Sequence, residues 1–70
     1  MFIEVTSALE GRPIAVNINK IKTYLPDGDS NKTLIEFGVD EYIVAKESYE
    51  TVKDLIAHER LLLHLAEGGY

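Results

Sequence analysis

The stretch Tyr42-Ile43-Val44-Ala45-Lys46-Glu47-Ser48-Tyr49-Glu50-Thr51-Val52 decides the fold, because the period of the apolar residues changes within it. Before Lys46 apolar residues alternate with polar ones, as on a half-buried strand. From Ser48 they recur at helical spacing. Tyr49, Val52, Leu55, Ile56, Leu62, Leu63 and Ala66 fall in one stripe at 100° per residue, which predicts an amphipathic helix over about 49–67. Ser48 stands where an N-cap is needed, and Glu50 in the first turn suits the positive end of the helix dipole. Gly68-Gly69 is the expected C-terminal stop.

Working back towards Met1, period-two runs separated by turn formers predict four more strands, all within about residues 2–46. They are Phe2 to Thr6, Ile14 to Ile18, a run in which Ile21, Thr23 and Leu25 share a face, and Thr33 to Phe37. The last forms a hairpin with Tyr42 to Ala45 across Gly38-Val39-Asp40-Glu41. Pro26 to Lys32 is the clearest loop, and Asn17 and Asn19 flank another reversal. The expected fold is α+β: one domain over 1–70, an antiparallel meander of about five short strands packed against one C-terminal helix. At 70 residues there is no room for a second domain, and with no Cys there is no disulfide framework and no thiolate ligand or nucleophile.

The formal charge is −5, and neither half hides a basic region: residues 1–40 hold four basic against six acidic side chains, and 41–70 hold three against six. That field repels nucleic acid and anionic membranes. No apolar run is long enough to insert in a membrane, and Met1-Phe2-Ile3-Glu4 has neither the basic nor the apolar part of a secretory signal, so a cytoplasmic address is expected.

Catalytic and metal-binding patterns are missing. Asp27-Gly28-Asp29-Ser30-Asn31 begins like a calcium loop, but Lys32 and Gly38 occupy the positions that should hold the turn glycine and the closing Glu. His58 and His64 are about 240° apart on the helix and cannot share a metal from one face. No serine lies in a nucleophile motif, and a cavity of the usual 300 Å³ or so is not expected within a single protomer. Neither enzymatic activity nor a cofactor is therefore expected.

The informative surplus lies at the end of the helix. Leu61 and Leu65 fall roughly opposite the main stripe, on the same side as Asp54 and His58, so this part of the helix is apolar nearly all round. A helix apolar on two sides is generally covered on two sides. The expected cover is another copy of the chain, with His58, Leu61, Leu62 and Leu65 at the oligomer interface; the competing reading is a frayed end with two exposed leucines. Asn17, Tyr24 and Tyr42 are the candidates to face an unidentified protein partner. An alternative function, single-stranded nucleic acid binding, would use Tyr24, Tyr42 or Phe37 as stacking platforms, and the acidic charge weighs against it.

Several runs carry a family resemblance: Ile3-Glu4-Val5-Thr6, Gly11-Arg12-Pro13-Ile14, Val16-Asn17-Ile18-Asn19 before Ile21, Thr33-Leu34-Ile35, and Val44-Ala45-Lys46-Glu47-Ser48-Tyr49-Glu50. Over most of residues 3–56 the chain resembles the small FlbD/SwrD-type proteins of bacterial flagellar operons and related uncharacterised bacterial and phage-borne proteins. It differs in having Gly38-Val39-Asp40-Glu41 where they have a tight Asn-Gly or Asp-Gly hairpin, and in its long Leu-rich helix end. The resemblance implies a small cytoplasmic accessory protein without catalysis, linked to motility or, alternatively, carried by a phage. It implies no ligand site.

Overall fold

The computed structural model describes residues 1–66, so Gly68-Gly69 and the end of the helix at 67 lie outside the described residues. Five antiparallel strands and one helix form an α+β fold. β1 (Phe2–Thr6) pairs with β2 (Pro13–Asn17), and β3 (Thr23–Pro26), β4 (Thr33–Gly38) and β5 (Glu41–Ala45) form a second sheet with β4 at its centre. Helix α1 spans Tyr49–Ala66. The two sheets meet where Ser7 bridges Ala45, with Ala8 N donating to Val44 O and Lys46 N to Thr6 O, both at 2.8 Å. The strands therefore run β2-β1-β5-β4-β3.

Two elements differ from the sequence reading. β2 starts at Pro13 and ends at Asn17, and Ile18–Lys20 forms a 3-10 turn instead of continuing the strand. Asn17 caps that turn by accepting a hydrogen bond from Asn19 N at 3.0 Å. The turn also resets the alternation that follows. Ile21 and Tyr24, not Ile21, Thr23 and Leu25, pack against the core, while Thr23 and Leu25 face outward. A 3-10 turn places residues three apart on one side, and no strand periodicity carries across it. Pro26 pairs with Thr33 as the last residue of edge strand β3, a position where its missing N–H costs no ladder bond. In the β4–β5 hairpin the residue with positive φ is Asp40, at 60°, a conformation that Asp tolerates better than most residues.

The core consists of Ile3, Val5, Val16, Ile18, Ile35, Ala45, Val52 and Ile56, and α1 closes it by packing against β1 and β3. Tyr49, in the first turn of α1, stacks on Tyr24 with ring centroids 5.5 Å apart. Ser48 is the N-cap, accepting from Thr51 N at 3.2 Å.

Glu47 reaches across the fold. Thr6 N donates to its Oε1 at 2.8 Å, Thr6 Oγ1 donates to its Oε2 at 2.9 Å, and the hydroxyl of fully buried Thr33 donates to its carbonyl at 2.8 Å. Burial pushes the Glu47 carboxyl up, but the bonds from Thr6, its own backbone N–H and the nearby Lys46 charge outweigh that and hold it below its ordinary value.

Two outcomes follow for stability. Ile35 is fully buried on the central strand, so Ile35→Ala should cost about 2–5 kcal/mol in urea unfolding followed by circular dichroism, whereas Leu61→Ala in dilute protein should change stability by less than about 0.5 kcal/mol. A carboxyl whose pKa is lowered on folding stabilises above its unfolded value, about 4.3, and that stability is lost as the pH falls through the lower folded value. The stability gap between wild type and Glu47→Gln should accordingly stay constant from pH 7 to about pH 5 and narrow below about pH 4.

Candidate functional site

Eighteen residues of helix at 1.5 Å each make α1 about 27 Å long, while a five-residue strand covers about 17 Å. The helix outruns the sheet it closes. Val52 and Ile56 are buried, and Leu55 and Glu59 are half-buried, but every residue from Arg60 to Ala66 is exposed. The sequence reading put Leu62, Leu63 and Ala66 in the stripe covering the sheet. They lie in line with it, but beyond the end of the sheet, and are exposed for that reason.

The overhang therefore carries four uncovered leucines: Leu61, Leu62, Leu63 and Leu65, at 54%, 46%, 41% and 56% exposure. His58, Leu61, Leu62 and Leu65 stand at i, i+3, i+4 and i+7, which makes one continuous strip along the helix. All four are exposed. His64 and Arg60 point away from this strip, and Arg60 and His64 are the basic residues of the overhang.

The other candidates lie elsewhere. Asn17 is half-buried and its side-chain oxygen is occupied by the Asn19 cap. Tyr24 is turned inward onto Tyr49 and the core, because the 3-10 turn inverted the phase of its strand, so it is not a free partner-facing side chain. Tyr42 is 60% exposed on the outer face of the second sheet. Phe37, like Tyr24, packs against the core, so the three aromatic rings proposed as a stacking platform do not share a face.

Strand register reveals an apolar row that the sequence reading missed. Leu25, Leu34 and Val44 stand side by side across β3, β4 and β5, on the face away from α1, with Tyr42 in the neighbouring row beside Glu36 and Thr23. After Ala8 the chain turns away from β5, leaving an open groove of about 380 Å³ lined by Ser7, Leu9, Tyr42, Ile43 and Val44. Leu9 is 93% exposed at its edge. A space of this size was not expected in one protomer, and it arises because β1 leaves β5 after a single bridge. The Ser7 hydroxyl in this groove accepts from Glu10 N at 3.1 Å. The apolar row was hidden because Leu25 was assigned to the wrong face of its strand.

Among the described residues, no group of three or more His, Asp or Glu is placed to hold a metal ion, and no helix is long and apolar enough to cross a membrane. A scan against protein-family models and searches of curated proteins and of solved structures each return no match.

A helix end that no other described residue covers frays readily. In dilute protein, the backbone amides of Leu62 to Ala66 should exchange with D₂O orders of magnitude faster than those of Leu55 and Ile56. Raising the protein concentration should slow exchange in the overhang alone, which amide-resolved NMR would detect.

Proposed function

We propose that this protein is a small non-catalytic interaction module of the cytoplasm that self-associates through the C-terminal end of its helix and serves a protein partner as an accessory. The observation that carries this reading is the overhang of α1, where four leucines are exposed on a helix whose preceding turns are well packed. The resemblance to FlbD/SwrD-type proteins supports an accessory role linked to motility, and it rests on the strand, turn and cap residues quoted above.

Energetics suit a reversible assembly. Covering a half-exposed leucine contributes about 1 kcal/mol, so the three leucines of the strip contribute about 3 kcal/mol per copy, or about 6 kcal/mol for two, against an association cost of about 4–15 kcal/mol. The contact is therefore weak and concentration-dependent, and polar substitution abolishes it. Glutamine at positions 61 and 65 retains helix propensity while removing the apolar strip.

Light scattering should show the mean mass of wild type rising with concentration, while Leu61→Gln/Leu65→Gln stays at the monomer mass with an unchanged far-UV spectrum. A wild type that remains monomeric at every concentration, or a double variant that associates like wild type, would reject the reading.

A further inference from the structure

We infer that the gap beside β5 is a strand-addition site: an extended segment of the protein partner enters it, pairs with the backbone of Tyr42 and Val44, and continues the path that β1 leaves. This rests on the partner-binding part of the reading above and gives the partner's chemistry; it does not depend on self-association.

The parity of the strands places the backbone groups. Val44 O accepts from Ala8 N, so the N–H and C=O of Val44 point away from β4. Those of Tyr42, two residues back in the same strand, point the same way. Its partner Glu36 turns the opposite way, since Glu36 O accepts from Lys22 N on the β3 side at 2.8 Å. Beyond Ala8 the chain leaves β5, because Gly11 N donates to Ser7 O and Ser7 N to Arg12 O, both at 2.8 Å, and turn it back into β2. The N–H of Val44 and both the N–H and the C=O of Tyr42 therefore face the groove, with no hydrogen-bond partner among the described residues.

Those groups define the occupant. Tyr42 and Val44 lie two strand residues apart, roughly 6.8 Å, which is the repeat of an extended chain. A helix has spent its N–H and C=O groups internally and cannot pair here. The side chains add a second condition. Tyr42 and Val44 face the outer side of the sheet, Ile43 packs on the inner side, and exposed Leu9 stands at the edge of the groove. A residue opposite any of the three meets an apolar neighbour, so the segment is apolar at three consecutive positions instead of alternating. Both outer edges of the fold are guarded against pairing by a proline, Pro13 in β2 and Pro26 in β3. The gap has no such guard, and Tyr42 to Ala45 carries neither proline nor charge. Another copy thus offers guarded edges, and the segment that fits is an unguarded apolar strand of a different chain.

The test selects the segment and then maps it. Immobilised wild type should enrich, from random heptapeptides displayed on phage, sequences with three consecutive β-branched or aromatic residues and no proline among them. A synthetic peptide of that sequence should shift the Tyr42 and Val44 amides of ¹⁵N-labelled protein and slow their exchange with D₂O, leaving Leu61 to Leu65 unchanged. A paired strand uses the N–H groups of alternate residues, so methylating one alternate set of peptide nitrogens should abolish binding and methylating the other should spare it. Leu9→Lys, at an exposed position, should weaken binding about tenfold with an unchanged circular dichroism spectrum.

A selection that enriches nothing, a peptide that shifts Leu61 to Leu65 instead, or an equal effect of both methylated sets would overturn strand addition. So would Tyr42 and Val44 amides that shift with protein concentration alone, which would put a second copy in the gap. A wild type that binds the peptide in this way yet stays monomeric would reject association through the helix and leave the β5 site standing.

Discussion

The fold depends on one carboxylate. Glu47 sits between the last strand and the helix cap, where β1, β4, β5 and α1 converge, and its side chain holds both the N–H and the hydroxyl of Thr6 while its carbonyl receives the Thr33 hydroxyl. Lys46 N donates to Thr6 O from the next position, so Thr6 is bound by two successive residues of the junction. This matters because, among the described residues, the two sheets share a single bridge, Ser7 to Ala45. A bridge of one residue pair would let the β1–β2 hairpin swing on β5. Charge-assisted bonds to a partly desolvated carboxylate are stronger than neutral ones, and here they fix the angle at which β1 meets the helix.

That angle has consequences for packing. Ile3 and Val5 of β1 complete the core only if the hairpin lies under α1, where they meet Val52 and Ile56. Thr33 illustrates the same constraint from inside, since it is fully buried and its hydroxyl is satisfied by the Glu47 carbonyl. Without that acceptor the hydroxyl would carry the desolvation cost of an unpaired buried donor. Polar residues thus set the geometry, and eight buried apolar ones supply the cohesion.

What could be read from the sequence, and what could not, divides along the range of the interactions. The change of period at Lys46, the Ser48 cap and the β4–β5 hairpin are local, written in residues within a few positions of each other, and the structure has them where they were expected. The inversion at Tyr24 was illegible because a 3-10 turn, itself stabilised by the Asn17 side chain, breaks the alternation on which strand reading rests. The Glu47 clamp was illegible for a different reason: its partner is 41 residues away, and a Glu beside a helix cap reads as an ordinary first-turn acid. The helix strip His58-Leu61-Leu62-Leu65 was legible, since it needs only spacing along one helix. The apolar row on the outer sheet was not, because it needs the register of three strands.

The helix also shows how a very small domain can leave part of an element outside its core. Its first half, up to Glu59, is consumed by closing the core, and changes there act on stability. Its second half touches too little of the sheet to contribute much to the fold, so its side chains are free to serve another purpose. Four leucines in seven residues are a poor choice for a surface exposed to water, because solubility alone would favour Lys, Glu or Gln, which are equally good helix formers. The apolar excess begins where the sheet ends, just after the last half-buried residue, Glu59. Helix propensity does not require leucine there, and the intramolecular core does not reach it. The self-association proposed above would bury it.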